Sequence, residues 1–110
     1  MSAKQAPLLQ GTLDLIVLHL LRAEPTNGYD LGQRIQTVSS EVLNINAGSL
    51  YPALYRLEAR GLITAEWEKT ENSRQAKVYS VTASGKKYLA EQRDGWKRFS
   101  GALAAILNVS

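Results

Sequence analysis

The stretch that decides the fold is Gly48–Ile63, GSLYPALYRLEARGLI. Its apolar residues recur at the spacing of one helix face, which predicts a helix packed on a core. These core-facing residues are Leu50, Ala53, Leu54 and Leu57. Asn46 or Ser49 caps the helix, and Pro52 favours the later start because only the first helical turn tolerates a missing N–H. Gly61 ends the helix, as glycine commonly does just past the last turn.

The opposite face of this helix differs from an ordinary solvated surface. It carries small, aromatic and basic residues in place of a Lys/Glu mixture: Gly48, Pro52, Tyr55, Arg56 and Ala59. We interpret this face as a candidate contact surface.

The chain downstream predicts a β-hairpin. Ile63, Ala65 and Trp67 alternate with polar residues, which is typical of a half-buried strand, and β-branched and aromatic residues return over Val78–Val81. The polar stretch between them, Lys69–Lys77, is predicted to be a loop. The hairpin tip is then basic, with Lys69, Arg74 and Lys77.

Two helices are predicted upstream. Apolar residues at helical spacing on most sides predict a largely buried first helix: Leu9, Leu13, Leu15, Ile16, Val17, Leu18, Leu20 and Leu21. Pro25 ends this helix. Asn27 caps a second helix, in which Asp30 lies near the start and Leu31 and Ile35 face the core. Residues 41–45 are expected to form a short extended or looped link.

The last predicted element is a helix that Thr82 caps and that runs toward Leu107. A seam with 3-4 spacing contains Leu89, Trp96, Phe99, Leu103 and Ile106. Gly95 and Gly101 each cost about 1 kcal/mol relative to alanine inside a helix. Because such a helix would hardly hold alone, we expect it to pack against another element or a second chain.

Composition indicates one globular domain. The chain has 110 residues, of which 45% are hydrophobic, and it has no cysteine, which excludes disulfides, Cys-based zinc sites and a thiol nucleophile. The first ten residues lack the apolar core of a signal peptide and no apolar run approaches a membrane span, so we expect a cytoplasmic protein without a membrane partner.

Charge is distributed unevenly along the chain. Residues 1–68 contain five Lys/Arg and seven Asp/Glu, whereas residues 69–98 contain eight and three. This asymmetry indicates an anionic partner for the second half. A solvated surface with a mild basic excess explains the charges equally well.

Five segments together resemble the PadR family of bacterial transcriptional regulators. They are GTLDLIVLHLL (Gly11–Leu21), NGYDL (Asn27–Leu31), GSLYPALYRLEARGLI (Gly48–Ile63), AEW (Ala65–Trp67) and SRQAKVYSVTASG (Ser73–Gly85). The resemblance extends from about Leu9 to about Leu89, with one departure, since many relatives carry histidine in place of Asn27. It implies a mainly α fold with a β-hairpin: a winged helix-turn-helix domain over residues 1–82 and a C-terminal dimerisation helix over residues 83–110, in one structural unit.

The resemblance also implies a function. Members bind a pseudo-palindromic double-stranded DNA operator as homodimers, usually as repressors, and small aromatic or hydrophobic compounds release some of them. The predicted dimer interface is the C-terminal seam with Leu89, Trp96, Phe99, Leu103 and Ile106. Trp96 and Phe99 are the candidate ligand residues, because facing aromatic rings near a two-fold axis suit a flat aromatic compound. The alternative is that Trp96 only anchors the dimer.

DNA binding in this fold uses the third helix in the major groove and phosphate contacts around it. The candidate DNA-binding residues are Asn27, Gly28, Tyr29, Gly48, Ser49, Tyr51, Pro52, Tyr55, Arg56, Arg74 and Lys77. Three of them have structural alternatives: Arg56 in an intramolecular ion pair, Tyr55 packed against the wing, and Tyr29 in the core. A charged hairpin tip is also commonly just solvated.

Other functions have weaker support. No catalytic set, glycine-rich phosphate loop or cofactor motif stands out, so we expect no enzyme activity and no cofactor. His19 is expected to be a satisfied, partly buried residue, and Glu66 and Glu68 lack a nearby His or Cys, so a metal site is not expected. The rival function is a winged-helix module that docks a protein without binding DNA, which the net acidic first 68 residues would suit.

Overall fold

The computed structural model describes residues 10–69 and 74–108. It contains, in chain order, α1 (Gln10–Ala23), β1 (Thr26–Asn27), α2 (Gly28–Val38), α3 (Ala47–Ala59), β2 (Ile63–Lys69), β3 (Gln75–Val81) and α4 (Ala83–Leu107). Four helices with a small antiparallel sheet form the predicted winged helix-turn-helix fold. Leu9 of the predicted first helix, and residues 70–73 of the predicted loop, lie outside the described residues.

The core forms where α1, α2 and α3 pack together and against the sheet. All four core residues predicted on α3 are buried, as are Leu31 and Ile35 of α2. The buried hydrophobic residues are Leu13, Val17, Leu18, Leu21, Leu31, Ile35, Leu50, Ala53, Leu54, Leu57, Leu62, Ile63, Tyr79 and Leu89. This shared core fixes the orientation of α3 relative to α2.

Helix α3 starts earlier than predicted. Asn46 is the N-cap and its side chain accepts the Ser49 N–H at 2.9 Å, so Pro52 lies in the second turn and the preference for the later start was wrong. Because proline has no N–H, Pro52 cannot donate a helical hydrogen bond to the Gly48 carbonyl. Gly48 is exposed, so water can donate to this carbonyl instead. The predicted end is confirmed: Gly61 has a φ of +75°, and the Leu62 N–H donates to the Leu57 carbonyl at 3.0 Å.

The sheet has three strands in the order β1-β3-β2. The two-residue strand β1, which the sequence did not predict, pairs Thr26 with Tyr79 and Asn27 with Val78. Strands β2 and β3 are longer than predicted, and Lys77 pairs with Trp67 across the hairpin, so it does not lie in the loop. Trp67 is 64% exposed, so the prediction of a half-buried Trp67 was wrong.

Helix α4 begins as predicted at the Thr82 cap. The Thr82 hydroxyl accepts the Gly85 N–H at 3.0 Å and donates to the Gly61 carbonyl at 2.7 Å, which joins the start of α4 to the end of α3. Gly85 has no room for a side chain, because a Cβ would lie 2.0 Å from the Leu62 carbonyl oxygen.

The rest of α4 is mostly exposed. Its N-terminal part packs against α1, and Leu89 is 1% exposed within the core. Leu89 therefore cannot contribute to a dimer interface, and that part of the predicted seam was wrong. The remaining seam residues, Trp96, Phe99, Leu103 and Ile106, are between 41% and 78% exposed. Among the described residues, no helix is both long enough and apolar enough to cross a membrane.

Candidate nucleic-acid interface

The outer face of α3 is open to solvent. Gly48, Ser49 and Pro52 are exposed, and Tyr55 is 75% exposed. Tyr55 therefore does not pack against the wing, which was its structural alternative. Tyr51 is 46% exposed and lies at the boundary between core and surface. The face thus presents small residues between two tyrosines, as a surface that fits closely into a groove would.

Arg56 lies at the C-terminal part of this face and is engaged within the protein. Its Nη2 lies 3.0 Å from Oδ1 of Asp14, and the Asp14 side chain is only 10% exposed. The intramolecular pair considered as the alternative for Arg56 is thus present. The Arg56 side chain is still 36% exposed, and its contact with DNA remains a prediction.

Two other arginines from the acidic half of the chain also have internal roles. Arg34 donates to the carbonyls of Leu20 and Glu24 at 3.2 and 3.0 Å, at the C-terminal end of α1. The Arg60 guanidinium lies 4.8 Å from the centre of the Tyr88 ring. These contacts join helices to one another.

The start of α2 is built around Asn27 and Gly28. The Asn27 side chain accepts the Asp30 N–H at 2.8 Å and donates to the Asp30 carboxylate at 3.1 Å, which confirms the predicted cap. Gly28 is buried under the Tyr51 ring, and a Cβ there would lie 2.6 Å from that ring. Tyr29 is 70% exposed, so its assignment to the core is excluded.

The wing presents its basic residues differently from the prediction. Arg74 is exposed where β3 begins. Lys77 lies within β3 instead of at the tip; its Nζ is 3.4 Å from a Glu58 carboxylate oxygen and 5.6 Å from the centre of the Tyr79 ring. The Lys77 side chain therefore lies between β3 and α3. It is closer to the start of α2 than a residue at the hairpin tip would be.

A pocket of about 510 Å³ joins these elements. Its lining residues come from the start of α2, from α3 and from the sheet: Asn27, Gly28, Tyr29, Tyr51, Trp67, Ala76, Lys77 and Tyr79. Burial raises the pKa of the Tyr79 hydroxyl, and so do Glu58 and Tyr51, while Lys77 lowers it. Sequence reasoning missed Trp67 and Tyr79 as site residues, because the strand pattern assigned both to packing.

A second recess lies where α4 meets the start of α1. Trp96 and Phe99 are neighbours in it, with ring centroids 5.8 Å apart and an interplanar angle of 36°. Its volume is about 240 Å³, and Gly11, Thr12, Leu15, Gln92 and Gly95 complete its lining. The two aromatic residues named from the sequence are therefore adjacent and partly exposed.

The residues that were not expected to have a function, His19, Glu66 and Glu68, do not line these two pockets. His19 is exposed on α1, so the expectation that it is partly buried was wrong. Glu66 and Glu68 are both exposed on β2. Over residues 10–69 and 74–108, no group of three or more potential metal ligands occurs.

Comparisons with known proteins agree with this architecture. Residues 17–91 match the model of the transcriptional regulator PadR-like family. The chain is 34% identical over 76 residues to the transcriptional regulator Rv3488 of Mycobacterium tuberculosis, a match that covers 69% of this chain and 70% of that protein.

Solved structures give the same result. A PadR family transcriptional regulator from Eggerthella lenta is 32% identical with a TM-score of 0.75, and the match covers 92% of this chain and 86% of that one. A PadR-like transcription factor from Bacteroides fragilis is 29% identical with a TM-score of 0.74, over 88% and 91% of the two chains.

Proposed function

This chain belongs to the PadR-like family of transcriptional regulators, and we propose that it binds a specific double-stranded DNA operator as a homodimer. The observation that carries the proposal is the pocket that brings the start of α2, Tyr51 of α3 and Lys77 of the wing to one side of the molecule. A winged helix-turn-helix protein needs these three elements on one side to hold a duplex, with α3 in the major groove.

Each element has a distinct role in this proposal. Gly48, Ser49, Pro52 and Tyr55 form the surface that enters the groove, since small residues allow close approach and hydroxyl groups reach base edges or phosphates. The backbone N–H groups at Gly28 and Tyr29 point a helix N-terminus at a phosphate. Arg74 and Lys77 supply affinity that does not depend on sequence.

The homodimer uses the exposed part of α4. Beyond Leu89, this helix presents Trp96, Phe99, Leu103 and Ile106, and a partner's copy of the same row would cover them. A two-fold dimer places the two α3 helices about 34 Å apart, one turn of DNA, which matches a pseudo-palindromic operator. We propose repression as the outcome, because a protein seated on an operator blocks access to it, and the cytoplasm as the compartment.

A small aromatic compound is the proposed effector. Trp96 and Phe99 offer two aromatic faces beside a recess, and the partner's pair would close it from the other side. Release of DNA would follow from a change in the angle between the two subunits. In the alternative, Trp96 anchors the dimer and no cavity forms.

A protein-docking module without DNA binding is the second candidate function. The acidic balance of residues 1–68 favours it. Arg34 and Arg56 pair with Glu24 and Asp14, which belong to the same stretch, so these ion pairs leave its acidic balance unchanged.

A gel shift separates the two functions. The purified protein is titrated into the duplex that lies upstream of its own gene and into a random duplex of equal length, at one stated salt concentration. DNA binding predicts a shift of the upstream duplex at lower protein concentration than the random one. No shift of either duplex would favour the docking module.

A further inference from the structure

The pocket between α2 and the wing is lined by a buried tyrosine whose hydroxyl has no assigned role. Tyr79 is 6% exposed and lines this pocket from its place on β3. Within the described part of the chain, no hydrogen bond involves its hydroxyl, and no side-chain oxygen or nitrogen is both sealed from solvent and unpaired. The Tyr79 hydroxyl is therefore a donor that reaches the pocket and has no acceptor among the described residues.

A cation lies 5.6 Å from the centre of the Tyr79 ring and pairs with a carboxylate of the protein. Lys77 Nζ is 3.4 Å from Glu58, and both side chains are more than one-third exposed. An ion pair with such exposure contributes little to stability, so its exchange for another anion costs little. A tyrosine hydroxyl is protonated near neutral pH and can donate, and burial raises the pKa of Tyr79 further.

The rest of the pocket suits an anion that carries an attached ring. The N-terminus of α2 directs its free N–H groups here, although Asp30 already lies at this end. Tyr29, Tyr51 and Trp67 form aromatic walls, and about 510 Å³ leaves room for a phosphate together with its sugar.

We infer that this pocket holds one backbone phosphate of the DNA, with the Tyr79 hydroxyl as a donor to it and Glu58 as an internal substitute that pairs Lys77 until the phosphate replaces it. The inference rests on the proposed DNA binding and adds to it three residues, Trp67, Tyr79 and Glu58. Tyr79 and Lys77 contact the phosphate, the Trp67 ring packs against the adjoining deoxyribose, and Glu58 acts through Lys77.

The inference predicts effects of opposite sign on DNA affinity. Tyr79→Phe removes only the hydroxyl and should weaken binding to the upstream and random duplexes alike, by about tenfold, since the hydrogen bond to a charged group is lost. Its salt dependence should match that of the wild type, because no charge is removed. Glu58→Gln frees Lys77 and should tighten binding to both duplexes, by roughly threefold to tenfold.

Lys77→Ala and Tyr88→Phe complete the set. Lys77→Ala should lower the slope of log affinity against log salt by about one unit, as for one lost phosphate contact. Tyr88→Phe is the matched control, because Tyr88 is also partly buried but lies on α4 outside the pocket; it should bind as the wild type does.

Fluorescence anisotropy with both labelled duplexes tests this, after circular dichroism melting confirms that each variant is folded. Wild-type affinity in Tyr79→Phe, or equal or weaker affinity in Glu58→Gln, would overturn the inference while DNA binding by the wild type stands. A wild type that binds neither duplex overturns the proposed function and this inference with it.

Discussion

Arg56 of α3 and Asp14 of α1 form an ion pair of 3.0 Å at the edge of the core beneath α3. The carboxylate is largely buried whereas the guanidinium is about one-third exposed, so the pair connects the core to the proposed contact surface. It holds α3 against α1 through two residues that are 42 positions apart in the sequence. The orientation of the reading surface thus depends on a charged contact as well as on leucine packing.

Loss of Arg56 should destabilise the fold. Arg56→Ala leaves the Asp14 carboxylate buried without its partner, so we expect the free energy of unfolding to fall by about 1–3 kcal/mol. Adding Asp14→Asn to Arg56→Ala should recover part of the loss, since it removes the unpaired charge. Urea denaturation measures both, with the exposed Arg22→Ala as control. Equal stability of Arg56→Ala and the wild type would contradict the role of the pair.

Arg56 is also predicted to read a base. At a temperature where the variant is folded, Arg56→Ala should weaken binding to the upstream duplex by roughly 1–3 kcal/mol and relax preference at one base position. Anisotropy titrations of single-base variants of the duplex measure this. An equal loss of affinity for random DNA would show that Arg56 contacts a phosphate. Unchanged affinity for both duplexes would show that Arg56 has only a structural role.

The exposed end of α4 should hold the dimer together. Ile106→Glu places a charge in the apolar row, where burial against a partner would be costly, so we expect a shift toward monomers. Light scattering at micromolar concentration should give twice 12.1 kDa for the wild type and close to 12.1 kDa for the variant. Thr64→Glu, an exposed position on β2, is the matched control. A monomeric wild type would refute the dimer.

Trp96 should report an aromatic effector. Trp67 is the only other tryptophan, so the Trp67→Phe variant isolates the Trp96 emission. Planar aromatic cations and phenolic acids are titrated into this variant. For at least one of them we expect saturable quenching, and we expect the same compound to release DNA from the wild-type protein. If no compound gives saturation, or if Trp96→Ala only produces monomers, then Trp96 is a dimer anchor and not part of a ligand site.

The sequence predicted the elements that follow from local chemistry. Asn27 and Thr82 each cap the helix assigned to them, and Gly61 ends α3 with a positive φ. The apolar face of α3 packs in the core. These features depend on residues within a few positions of one another, so the local pattern was sufficient.

Features that depend on distant pairing were missed. Strand β1 has two residues, too few for an alternating pattern, and exists because β3 pairs with it. Lys77 belongs to a strand because it pairs with Trp67 across the hairpin. Leu89 shares the spacing of the exposed seam, yet α1 covers it. The ion pair of Asp14 was not predicted, because Asp14 lies among leucines in an apolar helix. A lone carboxylate in such a helix nevertheless indicates a distant basic partner.

Hydroxyl-radical footprinting on the upstream duplex tests the central claim most directly, since it detects binding, symmetry and spacing together. The account predicts two protected segments related by two-fold symmetry, with centres about 10 base pairs apart, as expected for two α3 helices in successive major grooves. Uniform cleavage at every protein concentration, or a single protected segment, would contradict it.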